Sequence, residues 1–238
     1  MQNINPTSSI ARRGRFYLFL GILAFFGGAI AITLGFLFFF LPLWENISFY
    51  IFRILMIILG FLSIAVGVFG IFRAMTLQKD NESAHAIGEA LKGFLDHRYT
   101  YLRNVSKRGV GYIDAVLVGP PGALVFRIVD YPGEWRNERA DWRIMKNGKL
   151  RLAKTNPTRE CVKDIYALRK FLKKRGLDRV PVYGVVVFTS PNVQLSAEGP
   201  IVPIAEVPTL FQIMRREYLT DERVAPPAVH NTVNAISE

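Results

Sequence analysis

"GYIDAVLVGPPGALVFRIVDYPGEW", residues 111–135, decides how the C-terminal two-thirds of this chain is read. Two apolar runs, Gly111 to Val118 and Ala123 to Val129, flank Gly119-Pro120-Pro121-Gly122, whose residues favour a chain reversal. Two strands joined by a tight connection are predicted. Each carries one charged residue among apolar neighbours, Asp114 in the first and Arg127 in the second. A second turn follows at Tyr131-Pro132-Gly133-Glu134, with Pro at its second position and Gly at its third.

Working outward, a helix is predicted from about Asn81 to Asp96, because Ile87, Leu91, Phe94 and Leu95 recur at helical spacing behind a polar start. A strand at Tyr99–Val105 precedes the two already described. Downstream, "DWRIMKNGKLRLAK" reads as two short strands about Asn147-Gly148, a dipeptide suited to a two-residue hairpin. A helix from Pro157 to Gly176 is next, and "VPVYGVVVFTS" is apolar enough for a strand buried on both faces. A short strand near Ile201–Ile204 and a helix from Glu206 to Arg216 complete the domain. Residues 219–238 lack periodicity and are expected to be a disordered tail.

The N-terminal third is different. Two apolar blocks, Phe16 to Leu41 and Ser48 to Phe72, exceed the roughly 20 residues needed to cross a bilayer. A signal sequence would have a shorter apolar core and no second block behind it. The connection "PLWENI" is short, so an antiparallel hairpin is expected. Ala24 and Gly28, and Ser63 and Gly67, have the small-xxx-small spacing that brings helix backbones together. Arg12, Arg13, Arg15, Arg73 and Lys79 flank the pair while the connection has no Lys or Arg, which predicts both termini in the cytoplasm of a two-pass cell-membrane protein. Arg53, inside the second block, is expected to snorkel towards the interface beside Tyr50, with Trp44 in the aromatic belt.

Composition narrows the chemistry. The chain of 238 residues carries a net charge of +11. From residue 74 onward, 25 Lys and Arg stand against 18 Asp and Glu, a net of +7. Such a surface suits nucleic acid or the anionic inner leaflet. The densest basic run, "LRKFLKKRG" at 168–176, has Leu168, Phe171 and Leu172 on one helical side, leaving Lys170, Lys173 and Lys174 on the solvated one as candidate nucleic-acid contacts. A single cysteine, Cys161, excludes an internal disulfide, and no His lies close enough in sequence to suggest a thiol nucleophile. His85, His97 and His230 lack metal-ligand spacing and read as surface residues.

Glu89 in "GEALKGFL", Asp114 on its strand, the Gly-Pro turn, "YPGEW" and "TNPTRE" before a helix occur in an order that resembles the nuclease-related domain (NERD) family, a branch of the PD-(D/E)xK nucleases. The resemblance spans about Glu89 to Arg175 in motif, and leaves the membrane hairpin outside. It implies a restriction-endonuclease-like α/β fold of helix, three strands, helix and strand. It also implies a site in which Asp114 and a Glu-x-Lys on the next strand hold magnesium and activate water. Matched residue by residue, Arg127 stands at the Glu position and Val129 at the Lys position. A guanidinium repels a divalent cation, and a valine handles no proton. Glu160 also stands where the family has a Gln.

The organisation expected is residues 1–15 as a cytoplasmic segment, 16–72 as the hairpin, 73–80 as a linker, 81–218 as the NERD-like domain and 219–238 as the tail. The leading functional expectation is a non-catalytic domain that binds DNA, RNA or an unidentified protein partner beside the membrane and needs no cofactor. One alternative is a divergent magnesium-dependent nuclease whose site has migrated to Asp130, Glu160 or Lys154, with Glu89 keeping a family role. Another is a membrane scaffold without a nucleic-acid role. Arg127 is expected to pair with Asp114 or Glu89, since a cation pointing into a sheet-lined cleft requires a partner.

Overall fold

The computed structural model describes residues 1–6, 8–41, 46–78 and 81–237, with the side chains of 8–15, 73 and 75–78 excepted. The chain divides into two compact units, Thr7–Lys79 and a second made of Met1–Pro6 with Asp80–Glu238.

The first unit is a pair of long helices, α1 (Ser8–Phe40) and α2 (Ile47–Gln78). Their apolar stretches, Phe16–Phe40 and Ile47–Phe72, run 25 and 26 residues, long enough to span a bilayer, and only 11% of each is buried by the rest of the protein. Helices this long, apolar and exposed are compatible with membrane spans. The two helices meet along a seam of small residues. A Cβ on Gly28 would lie 2.6 Å from the Gly60 carbonyl oxygen, and one on Gly67 would lie 2.7 Å from that of Gly21. Ser63 donates its hydroxyl to the Ala24 carbonyl at 2.8 Å. The small residues noted in the sequence thus set a close approach that larger side chains would forbid. Arg53 donates to the Phe38 carbonyl at 3.0 Å and lies 4.3 Å from the Phe39 ring and 5.0 Å from that of Tyr50. It caps a carbonyl in the last turn of α1 and is sheltered by aromatic faces. Trp44, Pro42, Lys79 and the side chains of Arg12, Arg13, Arg15 and Arg73 lie outside the described residues. Residues 73–78, expected as linker, continue α2.

The second unit is mixed α/β. In chain order it contains β1 (Gln2–Ile4), α3 (Glu82–Lys92), β2 (Thr100–Lys107), β3 (Gly111–Gly119), β4 (Gly122–Val129), β5 (Gly133–Glu138), β6 (Asp141–Lys146) and β7 (Lys149–Leu152). There follow α4 (Pro157–Lys173), β8 (Val182–Phe188), β9 (Val193–Glu198), β10 (Ile204–Glu206), α5 (Leu210–Glu217) and α6 (Pro226–Ser237). The main sheet has the order β1-β2-β3-β4-β8-β10 and the smaller one β7-β6-β5-β9. The β2-β3-β4 meander is antiparallel, while β8 lies parallel to β4 after the α4 crossover.

Both faces of the main sheet are covered. Leu124 and Phe126 pack with Tyr101, Leu117 and Val187 against Ile87 and Leu91 of α3 and Leu210 and Met214 of α5. The alternate residues Ala123 and Val125 pack with Leu102 and Val116 against Leu168 and Leu172 of α4 and Ile236 of α6. The smaller sheet closes a third cluster, in which Trp135 and Trp142 meet Phe188 and Val129. Asn156 caps α4 by accepting the Arg159 N–H, Pro157 fills the first turn, and Gly176 at φ +72° ends the run, with Leu177 N–H bonding the Leu172 carbonyl. Asn147 and Gly148, at φ +53° and +70°, make the hairpin turn that the sequence signalled.

Three expectations need correction. The C-terminal stretch is not a free tail: α6 buries Thr232 and Ile236, and a side chain such as Ile236 contributes about 2 kcal/mol when removed from water. The segment 1–15, set apart from the domain in the sequence reading, contributes a strand to it, since Gln2, Asn3 and Ile4 pair in parallel with Thr100, Tyr101 and Leu102. The domain therefore extends beyond residues 81–218 at both ends. Finally, the turn at 131–134 gives way to β5, which pairs with β9 in a sheet whose outer strand had no sequence signal.

Candidate functional site

The site begins at a break in the main sheet. Pairing of β3 with β4 runs from Gly119–Gly122 to Ala115–Phe126 and stops there. The β2–β3 ladder skips the Asn104–Asp114 position, where Asn104 adopts φ +53°. Asparagine tolerates that left-handed backbone better than most residues. Beyond the kink the strands have exchanged faces, so that Val105 and Ile113 join the cluster of Leu102 and Val116. Asp114, at the kink, accepts the Ile128 N–H at 2.9 Å, and Asn81, which also caps α3, reaches its other oxygen at 3.5 Å.

Alternation along β4 places Arg127 on the same face as Val125 and Val129, towards α4. Its Nη1 lies 3.7 Å from Asp114 Oδ2 and 4.0 Å from Asp164 Oδ2, and its Nη2 pairs with Glu160 Oε2. One guanidinium thus faces three carboxylates. The Asp114 and Asp164 side chains are 10% and 11% exposed, whereas Glu160 opens to solvent at 38%. Burial pushes the Asp164 carboxyl up to about 6, against the pull of Arg127 and helped by Asp114. Burial likewise raises Asp114, opposed by the Ile128 N–H and Arg127. Two buried carboxylates and one half-exposed one, sharing a single cation, are electrostatically under-compensated.

Asp164 is the member of this cluster that the sequence motifs do not single out. It lies on the inward stripe of α4 with Cys161 and Leu168, three residues after one and four before the other. A carboxylate on an otherwise apolar helical stripe is the signal that was there to be read. Its Oδ2 is buried without a hydrogen-bond partner among the described residues.

Of the other expected residues, Glu160 belongs to the cluster. Val129 is buried at 5% exposure among Trp135, Trp142, Cys161 and Phe188. Glu89 lies on an exposed part of α3, where Asn3 donates to it at 3.1 Å and Lys92 approaches to 3.5 Å, and it is not Arg127's partner. Asp130 is exposed just past the end of β4. Lys154 was expected on a strand, but β7 ends at Leu152 and Lys154 is exposed beyond it. Lys170, Lys173 and Lys174 lie on the solvent side of α4. Cys161 is fully buried against the Val185 carbonyl, and burial pushes its thiol up to about 12, which suits packing rather than nucleophilic chemistry. His85, His97 and His230 are all exposed.

As ligands for a magnesium ion, Asp114, Glu160 and Asp164 supply hard oxygens, but the Arg127 guanidinium occupies the space among them, and Val129 offers neither charge nor proton. The residues as arranged do not fit the metal. Among the described residues, no group of three or more His, Cys, Asp or Glu is disposed to hold one.

The domain is mixed α/β, with an acidic residue on the second strand of its antiparallel meander, Arg127 beside it on the third and a capped crossover helix after them. Residues 79–189 match the family model of the nuclease-related domain, NERD, so the chain carries a nuclease-related domain behind two long apolar helices. No curated protein and no solved structure matches the chain significantly.

Proposed function

We propose that this protein is a membrane-spanning, catalytically silent nuclease-related domain that binds nucleic acid at the cytoplasmic face of the membrane. The observation that carries the reading is the position of Arg127: a fixed cation lies among the carboxylates that would otherwise gather a divalent ion. Binding is supported by α4, whose exposed Lys163, Arg169, Lys170, Lys173 and Lys174 enter no ion pair among the described residues. The topology is supported by β1, because the stretch before α1 and the stretch after α2 belong to one folded unit, as a two-pass hairpin requires.

The test has three arms. Full-length protein in nanodiscs should leave single- and double-stranded DNA and RNA intact with magnesium or manganese. It should bind labelled oligonucleotides with an affinity that falls steeply with salt, and charge reversal of Lys170, Lys173 and Lys174 should reduce the salt slope by about 3. A reporter after Glu238 should read cytoplasm. Cleavage that vanishes in Asp114→Asn would instead favour the second reading, a working hydrolase, for which the three-carboxylate cluster is the specific support. Silence in both the cleavage and the binding arms would leave a membrane scaffold.

A further inference from the structure

We infer that the exposed stripe of α4 is a platform for single-stranded nucleic acid, on which Tyr166 stacks against an unpaired base while the cations above and below it hold the strand's phosphates. The inference rests on the nucleic-acid reading proposed above and narrows it to one class of ligand.

The stripe follows from spacing. Arg159, Lys163, Tyr166, Lys170 and Lys173 succeed one another at intervals of four, three, four and three residues. With about 3.6 residues per turn, they fall within an arc of about 80° and lie about 4.5–6 Å apart along the helix. All are exposed, Tyr166 at 64%. Its cations enter no ion pair among the described residues, and the Tyr166 ring meets no other ring or guanidinium among them. Neither acidic residue of α4 belongs to the stripe. Glu160 borders it but is held by Arg127, and Asp164 lies on the inward side, 11% exposed, with Cys161 and Leu168. α6, which packs in the same core cluster as α4, brings no acidic residue to its flank. Ring and cations therefore share one face, and the charge on that face has one sign.

Each anionic surface asks something different of such a face. A bilayer needs an apolar side to bury, and that of α4 is already in the core, where Leu168 and Leu172 pack against the main sheet. Duplex DNA offers phosphates, but its bases lie stacked on one another and leave no free face for a ring. It also presents two backbones bordering a groove, whereas the stripe is a single row. A single strand supplies both partners at once: its phosphates follow one line, and every unstacked base has a π-face for an aromatic side chain. Because α4 is capped by Asn156 and anchored through Leu168 and Leu172, the row is presented preformed.

The test uses full-length protein in nanodiscs and fluorescence anisotropy with labelled probes of equal phosphate count: a mixed-sequence DNA single strand, a duplex, and a strand of abasic nucleotides. The single strand should bind about ten-fold tighter than the abasic one, as one stacked base allows. Tyr166→Ala should weaken the single strand by about the same factor and leave the duplex and the abasic strand unchanged, whereas Tyr166→Phe should keep the affinity. Arg159→Glu with Lys163→Glu should weaken every probe and lower its salt slope, which separates the phosphate row from the ring. The unfolding midpoint should not move in Tyr166→Ala, since that side chain is exposed. A duplex or abasic strand bound as tightly as the single strand, or an affinity indifferent to Tyr166→Ala, overturns the inference and leaves the nucleic-acid reading standing. Polyglutamate that displaces the strand as well as unlabelled strand does overturns it too, marking an acidic protein as the occupant. If no probe binds, the nucleic-acid reading fails and the inference with it.

Discussion

The Asp114 carboxylate takes the place of a backbone partner for Ile128, accepting its N–H at 2.9 Å just where β3 has stopped pairing with β4. A buried donor left unmade costs about 1–3 kcal/mol, so this carboxylate has a structural task whether or not the site performs chemistry. Asp114→Ala should therefore destabilise the domain by about 2–4 kcal/mol, since Arg127 also loses a partner. Asp114→Asn keeps an acceptor and should lose less. Urea unfolding of the two variants measures the difference, and an alanine variant as stable as the parent would remove the structural role.

Arg127 offers the converse experiment. With its guanidinium gone, Asp114, Glu160 and Asp164 face one another uncompensated. Arg127→Gln should lower stability by about 2–4 kcal/mol, less than the roughly 3–5 kcal/mol of a fully buried pair because Arg127 and Glu160 are partly open to solvent. Manganese should then raise the melting temperature of the variant and leave that of the native chain unchanged. Adding Val129→Lys to recreate the family pattern should unfold the domain, because that side chain is buried against Trp135 and Phe188.

Asp164 gives the fold a pH dependence of definite sign. Its carboxyl is raised from 3.8 to about 6, chiefly by burial, with Arg127 opposing. The folded chain thus holds this proton more tightly than the unfolded one. The stability it lends is fully present below 3.8 and is lost as pH rises through 6. At about 1.4 kcal/mol for each tenfold difference in proton affinity, the span is of order 2–3 kcal/mol. Asp164→Asn should flatten the stability profile across that window and make the domain more stable at neutral pH. Denaturant midpoints at intervals of pH would show it, and a profile unchanged by the substitution would assign the dependence elsewhere.

The helix seam can be tested with neighbouring glycines. Gly28 faces the Gly60 carbonyl, whereas nothing lies within 4 Å of a Cβ on Gly27. Gly28→Leu should force α1 and α2 apart and lower the melting temperature in detergent, while Gly27→Leu should be neutral. Equal effects would mean that the seam does not hold the pair.

The smallest soluble form of the domain follows from β1. That strand runs antiparallel to α3, since Met1 bonds the Leu95 carbonyl and Asn3 bonds Glu89, so residue 6 heads towards the start of α3. Joining Pro6 to Asp80 through a short flexible linker should give a soluble domain that melts higher and aggregates less than residues 80–238 alone, because β2 keeps its edge covered. Equal melting would mean that β1 is dispensable.

The sequence revealed what repeats or punctuates. The strands around Gly119–Gly122, the Asn147-Gly148 hairpin, the Asn156-Pro157 helix start and the apolar run of β8 each follow from local chemistry, and each is present. The Asp114–Arg127 contact was legible because two charges on adjacent antiparallel strands must find each other. What escaped notice was either short or judged by composition. β1 is three residues whose partner is remote, and β9 is largely exposed, so neither has a pattern of its own. α6 did carry one, with Val229, Val233 and Ile236 at helical spacing behind Pro226, but its polar residues and paired prolines resemble a tail. Asp164 stands among the charged residues of a basic helix and matches no motif, so only its place on the buried stripe with Cys161 and Leu168 marks it.

The pairing of Gln2 with Thr100 also imposes an order on biosynthesis. Residues 2–4 leave the ribosome long before β2 exists, Met1 and Leu95 being 94 positions apart, and both apolar helices emerge in between. On the two-pass reading proposed above, the edge of the main sheet closes only if residues 1–6 stay on the side of the membrane where the rest of the domain folds. A hairpin inserted with its ends on opposite sides would strand β1 across the membrane and leave β2 open to misassembly. On that reading, completion of the sheet depends on correct insertion of the hairpin.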